Sequence, residues 1–197
     1  MPTVDRDPAM VRRRLEAADA AIEPGNTEYE RWRAELGEAV AIGYDEVVVV
    51  QGRRPGDILR VLEDHGGRAH VYFDGAARGN PGPAAIAWVI VTDEGIVEEG
   101  SERVGELTNN EAEYAALERA LQVAVELGFE AVDVRGDSEL VVRQVTGRYD
   151  VSAPHLKARR VAARELLERF DEWTIEAVPR SVNERADRLA NEALDER

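Results

Sequence analysis

From Arg68 onward the apolar residues switch between two periods in a set order, and that order leaves few folds open. Ala69 to Ala76, Pro83 to Thr92 and Ile96 to Val104 read as strands, with Asp93-Glu94-Gly95 as a hairpin turn. Asn109 to Leu127 has helical spacing and is ended by Gly128. Ala131 to Arg135 reads as a fourth strand, followed by a short helix from Ser138 to Thr146 that Gly147 stops. Pro154 to Phe170 reads as a helix, Trp173 to Val178 as a fifth strand, and Asn183 to Leu194 as a final helix. Three hairpin-linked strands followed by βα alternation predict an α/β fold, a mixed five-stranded sheet flanked by helices.

Residues 1–67 read as a separate small unit, mainly helical. Helices are expected over 7–21, 28–42 and 55–64, with Thr27 as N-cap of the second and Val47 to Val50 as a short buried strand. His65-Gly66-Gly67 reads as a linker, so residues 68–197 form the second domain. The first unit carries no catalytic pattern and reads as a packing or docking module, with Arg12-Arg13-Arg14 on a solvated face.

The formal net charge of -15 argues against non-specific nucleic-acid binding, because phosphate contacts supply most of that affinity. Lys157 is the only lysine, and an acidic, lysine-poor surface points either to adaptation to high salt, the expectation taken here, or to a GC-rich genome that favours arginine. With no cysteine there is neither a disulfide framework nor a thiolate metal site. No apolar run approaches ~18 residues and the N-terminus lacks a signal-peptide core, so a cytoplasmic protein without a membrane segment is expected.

Four carboxylates stand at element ends. Asp74 interrupts the apolar run Tyr72-Phe73-Asp74-Gly75 and precedes the glycine- and proline-rich turn 75–83. Burying it in a sheet is costly without a partner or a cation, although a lone strand Asp is more often an edge or turn residue. In Thr108-Asn109-Asn110-Glu111-Ala112-Glu113, helical spacing aligns Glu113 with Leu117, Ala120 and Ala124, the inward face. Glu111 falls on the wet face, where a charge near a helix N-terminus suffices to explain it. Asp137 follows a buried strand, where it is either a helix cap or a site residue. Asp187 lies at the margin of the buried stripe Ala186, Leu189, Ala190, and taken alone is a surface helix residue.

Asp74-Gly75 with Gly79-Asn80-Pro81-Gly82, Thr108-Asn109-Asn110 with Glu113, Gly136-Asp137-Ser138, and the run 183–190 resemble the type 1 ribonuclease H (ribonuclease HI) family in order and spacing. The resemblance covers about Arg68 to Asp195 and is to an archaeal, haloarchaeal-like form with an N-terminal extension. It implies a ribonuclease H-like fold and an endonuclease that cuts the RNA strand of RNA–DNA hybrids, leaving 5′-phosphate and 3′-hydroxyl ends. Double-stranded RNA and RNA–DNA junctions are implied as further substrates, acted on by a monomer. By position, Asp74, Glu113, Asp137 and Asp187 would be catalytic ligands of two Mg²⁺ or Mn²⁺ ions. Four carboxylates share a site only with cations, and two ions about 4 Å apart suit in-line phosphodiester hydrolysis. Hard oxygen ligands select these metals over zinc. By the same resemblance Asp74 would bridge both ions, Asn80 and Thr108 would hold a DNA-strand phosphate, and Asn109 and Asn110 would enter the minor groove. Gly75 would let the backbone approach closely.

Three features depart from the family pattern. The loop 178–182 is short and lacks the histidine that the family's bacterial form carries before the last helix, so either Arg180 or, better, Glu184 takes part of its role, or the role is absent. Residues 147–153 leave no room for the family's basic protrusion; Arg148, Lys157, Arg159 and Arg160 would either substitute for it in part or form a solvated face. The first unit lacks the aromatic and lysine pattern of the eukaryotic hybrid-binding domain. Two other readings are a fold that lost catalysis, opposed by the presence of all four acids, and another polynucleotidyl transferase, opposed by the Gly-Asn-Pro-Gly and Thr-Asn-Asn segments.

Overall fold

The structure, a computed structural model, describes residues 3, 4, 6–62 and 65–195. It divides into two compact units, Met1–Asp64 and His65–Arg197.

The first unit contains β1 (Thr3–Val4), α1 (Pro8–Ala17), β2 (Ala21–Pro24), β3 (Trp32–Leu36), β4 (Ala39–Gly43), β5 (Val48–Gly52) and α2 (Pro55–Val61). Its strands form an antiparallel sheet in the order β1-β5-β4-β3-β2. Val11, Leu15 and Ile58 from the helices pack against Trp32, Ala34, Ala41, Val48 and Val50.

The expected mainly helical character of this unit is therefore corrected. Residues 28–42 are not a helix but lead into the β3–β4 hairpin, because Trp32 and Ala34, then Ala39 and Ala41, bury alternate positions with period two. Gly37, with φ of 59°, takes the left-handed turn that joins the two strands. Thr27 caps no helix; its Oγ1 accepts from the Glu30 N–H at 3.3 Å in a local turn. The first expected helix stops at Ala17, and Asp19, with φ of 58°, redirects the chain into β2. The third ends at Val61, and its expected last residues, Glu63 and Asp64, lie outside the described residues.

The second unit contains β6 (Arg68–Ala77), β7 (Gly82–Thr92), β8 (Gly95–Leu107), α3 (Asn109–Glu126), β9 (Ala131–Gly136), α4 (Glu139–Val145), α5 (Pro154–Leu167), β10 (Glu172–Ala177) and α6 (Glu184–Asp195). The sheet order is β10-β9-β6-β7-β8. The β6–β7–β8 meander is antiparallel, and β9 and β10 join parallel through helical crossovers. His65 and Gly66 belong to this unit, since their N–H groups donate to Leu127 and Gly128 carbonyls at 3.0 and 3.2 Å.

Strand alternation sends Val71 and Phe73 to one face, where they meet Tyr114, Leu117, Ala120 and Leu121 of α3, with Ala163 and Leu167 of α5 behind. The opposite face carries α6, whose Ala193 and Leu194 pack on Ala85 and Ala76. Gly75 makes the contact of α3 with β6 possible. A Cβ there would lie 2.3 Å from the Ala112 carbonyl oxygen, so any side chain would push the first turn of α3 off the strand.

Candidate active site

Asp74 comes from β6 on the face opposite Phe73 and is 5% exposed. Glu113 comes from the first turns of α3, whose N-terminus is fixed by a capping box. The Thr108 Oγ1 accepts from the Glu111 N–H at 3.3 Å, and the Glu111 carboxylate accepts from the Thr108 N–H at 2.9 Å. Glu111 is thereby committed to the cap, and Glu113 turns toward the strands. Asp137 directly follows β9. Its side chain is not spent on capping, because Ser138 is the N-cap of α4. Among the described residues, Asp74, Glu113 and Asp137 each offer a carboxylate oxygen, and these atoms all lie within 4.8 Å of one another.

The electrostatics of this cluster are strained without a cation. Burial first, then the charges of Asp137 and Asp187, push the Asp74 carboxyl up to about 7. Burial, followed by the Asp74 and Asp137 charges, pushes Glu113 up to about 9, against a hydrogen bond from the Gly75 backbone. Glu113 Oε2 is buried and has no hydrogen-bond partner. Closely spaced oxygen donors, an orphaned carboxylate oxygen and mutual repulsion fit a hard divalent cation.

Asp187, in the first turn of α6, stands apart from the three. Its Oδ1 accepts from the Arg180 guanidinium, and Asn191 Nδ2 lies 3.4 Å away. Its charge still reaches the cluster, since it raises both Asp74 and Glu113. Arg180 thus sits at the edge of the site. Glu184 is exposed on the same helix start.

Asn80 and Asn109 tie the turn after β6 to the start of α3. The Asn80 Oδ1 accepts from the Asn109 N–H and the Asn109 Oδ1 from the Ala77 N–H, both at 3.1 Å. The Thr108 hydroxyl donates to Glu111 at 2.7 Å, so it serves the cap. Asn110 is exposed at the same helix end. Of the basic residues expected to grip substrate, Arg159 is engaged with Glu118 at 3.1 Å.

One residue that the sequence reading took only for a helix start proves central. Asn183 is fully buried, and its amide lies between Asp74 and Asp137. It immediately precedes α6 and belongs to the run 183–190 that carries part of the resemblance, which was the sequence signal available for it.

The family model described as reverse transcriptase-like matches residues 72–193. Ribonuclease HI of Halobacterium salinarum is 54% identical over 198 residues, covering 100% of both chains. The crystal structure of RNase H1 from the same halophilic archaeon is 58% identical. It covers 66% of this chain and 98% of that one, with a TM-score of 0.64. The structure of LC11-RNase H1 in complex with an RNA/DNA hybrid is 43% identical and covers 64% of this chain and 96% of that one, with a TM-score of 0.61.

Proposed function

This chain belongs to the ribonuclease HI family, and we infer that it hydrolyses the RNA strand of RNA–DNA hybrids, at the carboxylate cluster of the second unit. The observation that carries this reading is the convergence of Asp74, Glu113 and Asp137 oxygens within 4.8 Å, from three separate elements. The family requires divalent metal ions. We assign Asp74, Glu113, Asp137 and Asp187 as the ligands of two of them, Mg²⁺ or Mn²⁺. When bound, such ions supply the Lewis acidity that makes water nucleophilic at neutral pH and stabilises the leaving oxygen.

The chain's own residues do the rest. Asp74, 5% exposed, would be a ligand of these ions from the end of β6. Gly75 brings the backbone of β6 close to the site. Asn80 and Asn109 hold each other and so present the 75–83 turn and the α3 N-terminus as one surface toward the hybrid, with Asn80 at a DNA-strand phosphate. Thr108 supports that surface through its capping box. Asn109 and Asn110 face the minor groove, where the 2′-hydroxyl distinguishes RNA from DNA. Glu184, or else Arg180, is the candidate for part of the role of the family's loop histidine. Cleavage leaves 5′-phosphate and 3′-hydroxyl ends.

The proposal keeps residues 68–197 as the catalytic domain, double-stranded RNA and RNA–DNA junctions as secondary substrates, and a monomer working in the cytoplasm. Among the described residues no helix is long and apolar enough to cross a membrane.

The test is cleavage of labelled RNA–DNA hybrid, double-stranded RNA and double-stranded DNA with Mg²⁺ or Mn²⁺ from dilute buffer to molar salt. Selective cutting of the hybrid's RNA strand is expected. Folded protein that leaves the hybrid intact under every condition would overturn the reading.

A further inference from the structure

We propose that Asn183 is a positioning residue for the carboxylate cluster: its side-chain amide clamps Asp74 and Asp137 at the separation a divalent cation requires. The inference rests on reading that cluster as the metal site.

The backbone of Asn183 is held first. Its N–H donates to the Arg180 carbonyl at 3.0 Å, and its carbonyl accepts from the Asp187 N–H at 3.0 Å. The side chain then reaches between two strands. Nδ2 donates to the Phe73 carbonyl at 3.0 Å and lies 3.4 Å from Asp74 Oδ1 and 3.5 Å from Asp137 Oδ1.

The ladder explains why a clamp is needed there. The parallel pairing of β6 with β9 ends at Tyr72 opposite Arg135. Asp74 and Asp137 are the next pair on that face, beyond the last registered residues. Backbone hydrogen bonds no longer set the distance between the strands at that point. The side chain of Asn183, the residue just before α6, takes over, and α6 covers this face.

The orientation of the amide follows from its acceptors. Turning it over would set Oδ1 against a carbonyl and two carboxylates, all of them acceptors. As oriented, Oδ1 is buried without a partner. Leaving a buried acceptor unpaired is unfavourable, and the arrangement holds because one N–H is satisfied by the Phe73 carbonyl and the other is aimed at the two carboxylates. The residue type fits as well. With one N–H given to the Phe73 carbonyl, the other is shared by the two carboxylates and leaves their charge for a cation. An arginine or lysine would neutralise it, and an aspartate would add repulsion.

The experiment is calorimetric titration of the metal-free full-length chain with Mn²⁺, for wild type and Asn183→Ala, at a temperature where both are folded. A loss of ~10–100-fold in Mn²⁺ affinity is expected, the range for residues that orient metal ligands. The kcat should fall while KM for the hybrid stays within about twofold, because the clamp touches ligands and not substrate. An unchanged Mn²⁺ affinity in the folded variant would overturn the proposal.

Should Asn183→Ala fail to fold, the size-conserving Asn183→Asp decides. Its unfolding temperature should fall in the metal-free state and recover with saturating Mn²⁺, whereas an equal loss in both states would make Asn183 a packing residue only. A wild-type chain that takes up no Mn²⁺ would instead remove the metal-site reading beneath the proposal.

Discussion

Arg180 donates to the carboxylate of Asp187 across the turn that enters α6, so the outermost of the four acids is held by a cation of the protein itself. Its carboxylate is thereby kept out of the compact group formed by Asp74, Glu113 and Asp137. Arg180 engages Oδ1 of Asp187 and so competes with a divalent ion for that oxygen. We expect Arg180→Ala to lower the Mg²⁺ concentration for half-maximal activity by about two- to fivefold, the modest effect of a solvent-exposed pair. A metal titration of hybrid cleavage checks this. A higher Mg²⁺ requirement in the variant would show that Arg180 supports the site and does not compete for Asp187.

Asp74→Asn and Asp137→Asn remove one charge each from a cluster of like charges. Turnover should fall by at least about a hundredfold in either variant, since a lost metal ligand forfeits several kcal/mol of transition-state stabilisation. The metal-free unfolding temperature should move the other way. Burial and the neighbouring acids oppose ionisation of Asp74, so a neutral amide there relieves repulsion. Steady-state kinetics and thermal unfolding in EDTA test both halves. Activity retained by a variant would exclude that residue from the metal site.

The same carboxyls predict a pH dependence. In the folded metal-free chain Asp74 is raised to about 7 and Glu113 to about 9, both above their ordinary values. Across that range the folded state holds more protons than the unfolded state, so stability declines as pH rises. The contribution is full below the ordinary carboxylate range and is lost as pH climbs through the two raised values. Unfolding temperatures measured in EDTA between about pH 6 and pH 9 should therefore fall more steeply than in saturating Mn²⁺, which favours the ionised form. Parallel curves in the two conditions would contradict this.

Salt should help this enzyme find its substrate. The chain carries a formal net charge of -15, and many of its arginines are already engaged by its own acids. Arg78 contacts Asp195, Arg143 contacts Glu139, Arg159 contacts Glu118 and Arg185 contacts Glu99. Cations so engaged contribute less to counterion release from the hybrid, so the usual weakening of phosphate contacts by salt is reduced. Long-range repulsion between the protein and the polyanion is screened as the Debye length shrinks from about 10 Å at 0.1 M to about 3 Å at 1 M. KM for the hybrid should accordingly be lower at about 1 M KCl than at about 0.1 M. A KM that rises with salt would show that direct phosphate contacts dominate.

Much of the catalytic unit was legible from residue patterns alone. Val132 and Val134 alternate as a buried strand must, the α3 stripe of Leu117, Ala120 and Ala124 repeats with helical spacing, and glycines mark the ends. Such local periodicities act wherever the segment is placed, and the five strands and four helices lie where they were expected, to within a few residues at their ends. In the first unit the same reasoning misread a hairpin. Trp32, Leu36 and Ala39 satisfy a helical repeat, while Trp32, Ala34 and Leu36 satisfy a strand repeat. Pairing with β2, β4 and β5 settles between them, and pairing is not written in any short window.

The site divides along the same line. That Asp74, Glu113, Asp137 and Asp187 share a site was an expectation carried by the family resemblance, since Asp74, Asp137 and Asp187 read singly each had a structural explanation. Which of them actually converge did not follow. The spacing of three oxygens within 4.8 Å, the diversion of Asp187 to Arg180 and the insertion of Asn183 between Asp74 and Asp137 arise only when α3, β9 and α6 close around the end of β6. Local pattern selects the element and the face on which a side chain stands, because steric and hydrophobic preferences act over a few residues. Distances between carboxylates more than sixty residues apart, as from Asp74 to Asp137, depend on packing of the whole unit, and no stretch of sequence contains that information by itself.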